Sequence, residues 1–195
     1  MRKIIMLIFT YLLTSVIFAN STTTDWMSHI PSDRKLNQLI IPGTHDSGTY
    51  AITSVSHFSI SDPGPLPTWL EKISNILPVS IIRPIIAGWS KTQPYSIADQ
   101  LNNGIRYLDF RVCYNSSDFY LCHTMLGDSV ATALKDIQTF AKVHPSEIII
   151  IDFNHLYGID DSAIATQFLQ LLKNNLETIA IPNIYNASNT IGQIR

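Results

Sequence analysis

The run Ile148 to Ile151 puts four β-branched residues in succession, ahead of Asp152-Phe153-Asn154-His155, and constrains the fold more than any other stretch. A strand with one face in water alternates apolar and polar residues. An unbroken branched run is what a parallel strand covered on both faces requires. Helices supply such cover, and helical patterns flank the run. Val130, Leu134, Ile137 and Ala141 form an apolar stripe between about Asp128 and Pro145, and Ile164, Phe168, Leu171 and Leu172 form another between about Asp160 and Glu177. Strand alternating with helix predicts an α/β fold built on a parallel sheet or barrel.

In such folds the loops at the carboxyl ends of strands carry the chemistry. Two strand ends qualify here. In Leu36 to Gly48, LNQLIIPGTHDSG, the apolar Leu39-Ile40-Ile41 reads as a short buried strand broken by Pro42-Gly43, and the pair His45-Asp46 follows at once. Asp152, Asn154 and His155 stand at the end of the isoleucine strand, where they either hold a ligand or merely close the strand.

Between these lies Ile105 to Tyr114, IRYLDFRVCY, preceded by a helix capped by Ser96 with Asp99 and closed by Gly104. It alternates, with Leu108, Phe110 and Val112 on one face and Tyr107, Asp109 and Arg111 on the other. Side chains two apart on one face lie roughly 7 Å from each other, so Asp109 and Arg111 either flank one ligand or form a structural ion pair. The segment Phe119 to His123, FYLCH, follows too closely for a parallel crossover and predicts an antiparallel hairpin. The register that groups His123 with Asp109 and Arg111 puts Cys113 and Cys122 on opposite faces, barring a bulge. Both cysteines are therefore expected as free, mostly buried thiols.

A length of 195 residues suits one domain with a sizeable core. With 46% apolar residues, 14% charged residues and a net charge of -2, the chain lacks the clustered basic excess of a nucleic-acid binder. The opening MRKIIMLIFTYLLTSVIFAN reads as a secretory signal, residues 1–19, cleaved near Ala19 to leave an exported domain over 20–195; an amino-terminal membrane anchor is the alternative. Asn20, Asn115 and Asn186 head N-glycosylation sequons. Thr22 to Lys35 predicts a lead-in helix. Tyr50 to Pro94, punctuated by prolines, predicts a functional loop or lid with short helices of its own, or an apolar flap that touches lipid. His29, His57 and His144 are read as surface residues.

The strings IPGTHDSG, WSKTQPYSIADQLNNGIRYLDFRV (Trp89 to Val112), LCHTMLG and IIIIDFNHLYG, in this order, resemble the X domain of phosphatidylinositol-specific phospholipase C. The resemblance extends to about Gly158 and is to the X-domain-containing proteins, which are similar to the compact bacterial, metal-independent enzymes. It implies a distorted TIM barrel, of which the strands found here supply the N-terminal half to two-thirds. It implies His45 as the general base toward the inositol 2-hydroxyl and His123 as the general acid toward the departing diacylglycerol oxygen. Asp46 is then the partner of the acid-side histidine, Asp109 orients and balances charge, and Arg111 stands where the larger enzymes use calcium. Asp152, Asn154 and His155 become candidates for holding the inositol.

The residues are consistent with those roles. Diester cleavage of this kind needs one neutral imidazole and one imidazolium, and a guanidinium matches two phosphate oxygens at once. No metal or other cofactor is expected, because Arg111 would repel a cation and too few carboxylates are present for six or more oxygen ligands. The implied partner is a phosphoinositide or related phospholipid at a membrane surface. Two alternatives stay open: a catalytically inactive lipid- or phosphate-binding relative, and a metal-dependent barrel phosphodiesterase of the glycerophosphodiester or sphingomyelin type. Thr124 follows His123 where the family commonly has glycine, a departure from its pattern.

Overall fold

The computed structural model describes residues 23–59 and 68–195. The expected signal segment, the Asn20 sequon and Pro63, Pro65 and Pro67 lie outside the described residues.

A single sheet organises the chain. Its strands are β1 (Gly43–Thr44), β2 (Tyr107–Asn115), β3 (Asp118–His123), β4 (Met125–Ser129) and β5 (Ile150–Tyr157). The helices are α1 (Thr68–Ser74), α2 (Val79–Ser90), α3 (Ile97–Asn102), α4 (Val130–Val143), α5 (Ser162–Leu176) and the short α6 (Ile191–Ile194). Strand β2 is central. It pairs in parallel with β5 along one edge, and its other edge is shared by β1, parallel at Gly43↔Tyr107, and β3, antiparallel from Val112↔Leu121 to Asn115↔Asp118. Strand β4 adds to β3, and among the described residues the sheet does not close. The result is part of a distorted (β/α) barrel.

The alternation in β2 divides the molecule in two. Leu108, Phe110 and Val112 are fully buried against Val130, Ala133, Leu134 and Ile137 of α4 and Phe168 of α5. Burying one such aliphatic or aromatic side chain contributes roughly 1.5–3 kcal/mol, so this layer fixes which face of β2 turns to the helices. The opposite face carries Tyr107, Asp109 and Arg111 into the concave side of the sheet. Ser129 and Asp161 cap α4 and α5 by accepting backbone N–H bonds, and Ser96 accepts from Asp99 N at 3.1 Å to start α3. The buried Arg106 is compensated by Glu147 at 2.7 Å and by the carbonyls of Leu101 and Thr24.

The structure alters several expectations. Leu39 to Ile41 is not a strand. Ile40 is 96% exposed, while Leu39 and Ile41 on either side pack against Met27, Ile148 and Ile191. Pairing starts only at Pro42, whose carbonyl accepts from Arg106 N and Tyr107 N. The lead-in segment makes a 3-10 turn at Trp26–His29. Only Ile150 and Ile151 of the isoleucine run enter β5, which is parallel as expected, its partner being β2. It is half-buried rather than covered twice, since Ile149, Ile151 and Phe153 join the helical core and the concave side is open. The strand β4, within MLGDS, has no strand-like alternation and was not anticipated. The Tyr50–Pro94 region contains α1 and α2, as a loop with helices of its own should. His144 is no surface residue: its Nδ1 lies 2.6 Å from Asp25 and its ring packs on Phe140.

The cysteine expectation is overturned. Cys113 and Cys122 form a disulfide with their Cα atoms 6.0 Å apart. The ladder takes the register one residue removed from the expected one, with Cys113 opposite Tyr120, which makes Cys122 its diagonal neighbour on the same face. By strict alternation His123 would then turn away from Arg111. It does not, because the last ladder pair is Val112–Leu121 and the pairing of β3 with β4 shifts between Tyr120 and Cys122.

Candidate active site

The loop after β1 is locked before any side chain of the site is placed. Asp46 has a left-handed backbone (φ 45°), and Ser47–Ala51 continue as a 3-10 helix. Thr92 Oγ1 and Gln93 Nε2 donate to the His45 carbonyl at 2.9 and 3.0 Å, Gln100 Nε2 donates to the Ser47 carbonyl at 2.8 Å, and Asp109 N donates to Ser47 Oγ at 2.9 Å. Gly48 is required because a Cβ there would stand 2.5 Å from Leu121 Cβ of β3.

Three charged or titratable groups then gather on one carboxylate. The Asp46 side chain is fully buried; Arg111 Nε lies 2.7 Å from its Oδ1, and His45 Nε2 lies 3.2 Å and His123 Nδ1 3.7 Å from its Oδ2. His45 Nδ1 meets Asp109 Oδ2 at 2.9 Å, and the same oxygen accepts Asp46 N at 3.1 Å. The side chains of Asp109, His123 and Arg111 are 11%, 12% and 20% exposed, whereas that of His45 is 62% exposed. The cluster is thus a buried network with one imidazole open to solvent. The same nitrogen anchors His123: Nδ1 donates to the Ser90 carbonyl at 3.0 Å, and the ring packs on Trp89 with centroids 4.7 Å apart.

Burial raises the Asp46 carboxyl above the ordinary carboxylate range, against the pull of Arg111, His123 and His45. Burial pushes Asp109 the same way, but the Asp46 N–H, the His45 ring and the Asn154 amide together hold it below that range. The two neighbouring carboxylates are therefore shifted in opposite directions.

The second group of expected residues is only partly assembled. Asp152 stands opposite Asp109 in the parallel register and accepts the Tyr107 hydroxyl. Asn154 reaches Asp109. His155 falls beside Arg111 after a register shift in β5, but its ring stacks on Tyr157 instead of entering the cluster. Trp89, Ser90, Thr92 and Gln93 were not singled out as site residues from the sequence, although they lie in the quoted WSKTQPYS string; a backbone carbonyl and a stacking ring leave no chemical signature of their own.

His45, Asp46 and Asp109 offer one ligand atom each within 4.8 Å of one another, which is the spacing of a cation site. Arg111 Nε at 2.7 Å from Asp46 already sets a positive charge there, and three donors fall short of the six or more oxygens a calcium ion takes.

The family model PI-PLC X 1 matches residues 86–180, the span that carries Arg111, His123 and the strands around them. Human PI-PLC X domain-containing protein 2 is 34% identical over 145 residues, covering 71% of this chain and 45% of that protein. The chain belongs to the PI-PLC X-domain family. Variant-surface-glycoprotein phospholipase C of Trypanosoma cruzi is likewise 34% identical over 145 residues, 70% of this chain and 38% of that protein. In three dimensions the phosphatidylinositol-specific phospholipase C of S. aureus superposes with a TM-score of 0.61 at 19% identity, over 90% of this chain and 51% of that one. This last likeness establishes the barrel fold. The chain spans about half the length of the relatives it matches.

Proposed function

We propose that this X-domain chain is a phosphodiesterase that cleaves phosphatidylinositol-type phospholipid to diacylglycerol and a cyclic inositol phosphate, using two histidines. The observation that carries the reading is the buried Asp46, shared by Arg111, His45 and His123 within 3.7 Å. With Nδ1 engaged by Asp109, His45 Nε2 is the atom left to take the proton of the inositol 2-hydroxyl, which displaces Asp46 at that position. The hydroxyl oxygen forms its bond to phosphorus, the bond from phosphorus to the glycerol oxygen breaks, and His123 Nε2 protonates that oxygen. His123 suits this because a carbonyl can only accept, so Nδ1 keeps its proton toward Ser90 and Nε2 is the ring nitrogen left for the departing oxygen. Arg111 supplies fixed positive charge for the phosphate oxygens.

An apolar rim next to the site supports action at a membrane surface. Trp69 and Ile76 on and after α1, and Val79, Ile81 and Ile85 of α2, are all exposed, and α2 ends at Trp89 and Ser90. Exposed apolar side chains concentrated on one stretch of the chain suit a lipid surface. Among the described residues no helix is long and apolar enough to cross a membrane. The disulfide supports export to an oxidising compartment, in keeping with the secretory signal read in residues 1–19.

Purified chain incubated with phosphatidylinositol vesicles tests the reaction. Release of cyclic inositol phosphate that is abolished in His45→Ala and survives a chelator supports the two-histidine, metal-free reading. Activity lost with the chelator and restored by a divalent cation transfers the site to the metal-dependent class. A specific observation favours the inactive alternative: on the side of β5 that faces Asp109 and Arg111, Asn154 and His155 are exposed. Vesicle binding without turnover would establish that reading.

A further inference from the structure

The structure assigns a positioning role to the Cys113–Cys122 disulfide. We propose that it holds the strand ends carrying Arg111 and His123 in register for the general-acid step, an inference that rests on the assignment of His123 as the acid.

The cross-link sits where the backbone no longer does that work. Cys113 is two residues beyond Arg111 on β2, and Cys122 immediately precedes His123 on β3. Four ladder pairs close the hairpin, from Asn115–Asp118 at the turn to Val112–Leu121. Beyond Leu121 the two strands are not paired. Arg111 is paired on its other side, with His155 of β5, and β3 shifts its register with β4 between Tyr120 and Cys122. On the far side of His123, Thr124 is in the left-handed region (φ 61°), which a β-branched residue adopts only under constraint. His123 therefore lies in an irregular stretch between a disulfide and a strained residue.

A cross-link also restricts the unfolded chain, by an amount that grows only logarithmically with the loop it closes, and that effect is one of stability. In the folded state the loop is short, with a sequence separation of 9, and the hairpin's own ladder already holds its turn end. The constraint falls on the open end of the hairpin, which is the end that delivers His123. Both cysteines are buried, beside Leu126 and with Ser59 Oγ at 3.0 Å from Cys113 Sγ, so the link is part of the packed structure behind the site.

The experiment compares the native protein with Cys113→Ala/Cys122→Ala, and with Cys113→Val/Cys122→Ala as a second variant that refills the volume. Two inositol phosphodiesters are used, one with an alkyl alcohol as leaving group and one with para-nitrophenolate, which departs without a proton. A general acid is worth about 10²–10⁴-fold, and displacement of a catalytic group by about 1 Å costs on the order of 10²-fold. Turnover of the alkyl diester is expected to fall about 10–100-fold, and that of the nitrophenyl diester less than about 3-fold. Equal losses on both substrates, or no loss on either, overturn the proposal.

A second readout does not depend on turnover. The His123 Nδ1–H proton resonance, assigned by its absence in His123→Gln, is expected in the native protein and broadened or lost in both disulfide-free variants. Its persistence unchanged in either variant overturns the positioning role. If the native chain cleaves neither diester, the proposed reaction fails, and the resonance still decides whether the disulfide positions His123.

Discussion

Asp46→Asn tests the idea that one buried carboxylate organises the site. The substitution keeps the shape of the side chain and removes its charge. It leaves the Arg111 guanidinium 2.7 Å from a neutral amide, with two imidazoles within 3.7 Å of the same group. Removing one partner from a fully buried ion pair destabilises by about 3–5 kcal/mol. Two features reduce that figure. Arg111 is one-fifth exposed, so solvent recovers part of its charge, and burial already disfavours the Asp46 anion, so its removal relieves some of that strain. A net loss of about 1–3 kcal/mol is expected, which for a chain of this size lowers Tm by roughly 2–10 °C.

Thermal unfolding of Asp46→Asn, Arg111→Gln and the double variant measures this as a cycle. A coupling of about 1–2 kcal/mol is expected, because the second substitution removes the charge that the first left unpaired. Turnover of phosphatidylinositol in Asp46→Asn should fall at least about 10²-fold, as the group between both imidazoles and the guanidinium is lost. Additive effects within about 0.3 kcal/mol, together with turnover near that of the native chain, would refute the reasoning.

Further outcomes follow from the same contacts. Gly48→Ala would press a methyl group against Leu121 and should cost about 1–3 kcal/mol by denaturant unfolding, with a parallel loss of activity from the displaced His45–Asp46 turn; unchanged stability would contradict the close approach seen at 2.5 Å. Asp109 has its carboxyl held below its ordinary value, so its stabilisation is present above the unfolded value of about 3.8 and is lost as pH falls through the lower folded value. Asp109→Asn should therefore be less stable than the native chain at pH 7 and draw level with it in strong acid, as read by Tm at each pH; a constant difference across pH would exclude this linkage. Replacing Trp69, Ile81 and Ile85 together by Ser should weaken sedimentation with phosphatidylinositol vesicles while leaving cleavage of a soluble inositol diester intact, and equal losses in both assays would place these residues in the fold rather than at the lipid surface.

Much of the scaffold was legible from local pattern. Strand β2 could be read because Leu108, Phe110 and Val112 alternate with Tyr107, Asp109 and Arg111, and a period of two determines which side chains share a face. The helices α3, α4 and α5 announced themselves through apolar stripes and capping residues. His45, Asp46, Asp109, Arg111 and His123 were reachable because charged and titratable residues stand out at strand ends, and the motif order tied them together.

What pattern could not determine was register and everything that depends on it. A slip of one residue leaves the composition of a hairpin unchanged and reverses every side chain, so the pairing of Cys113 with Tyr120, and with it the disulfide, was decided only when β3 packed against its neighbours. The same holds for His123, which reaches Asp46 through an irregularity in β3 that no periodicity encodes. Ile40, apolar yet exposed, and the Trp89–Ser90 support of His123 belong to this class too. Their surroundings are made by residues distant in the chain, and distance in the chain is what local patterns do not carry.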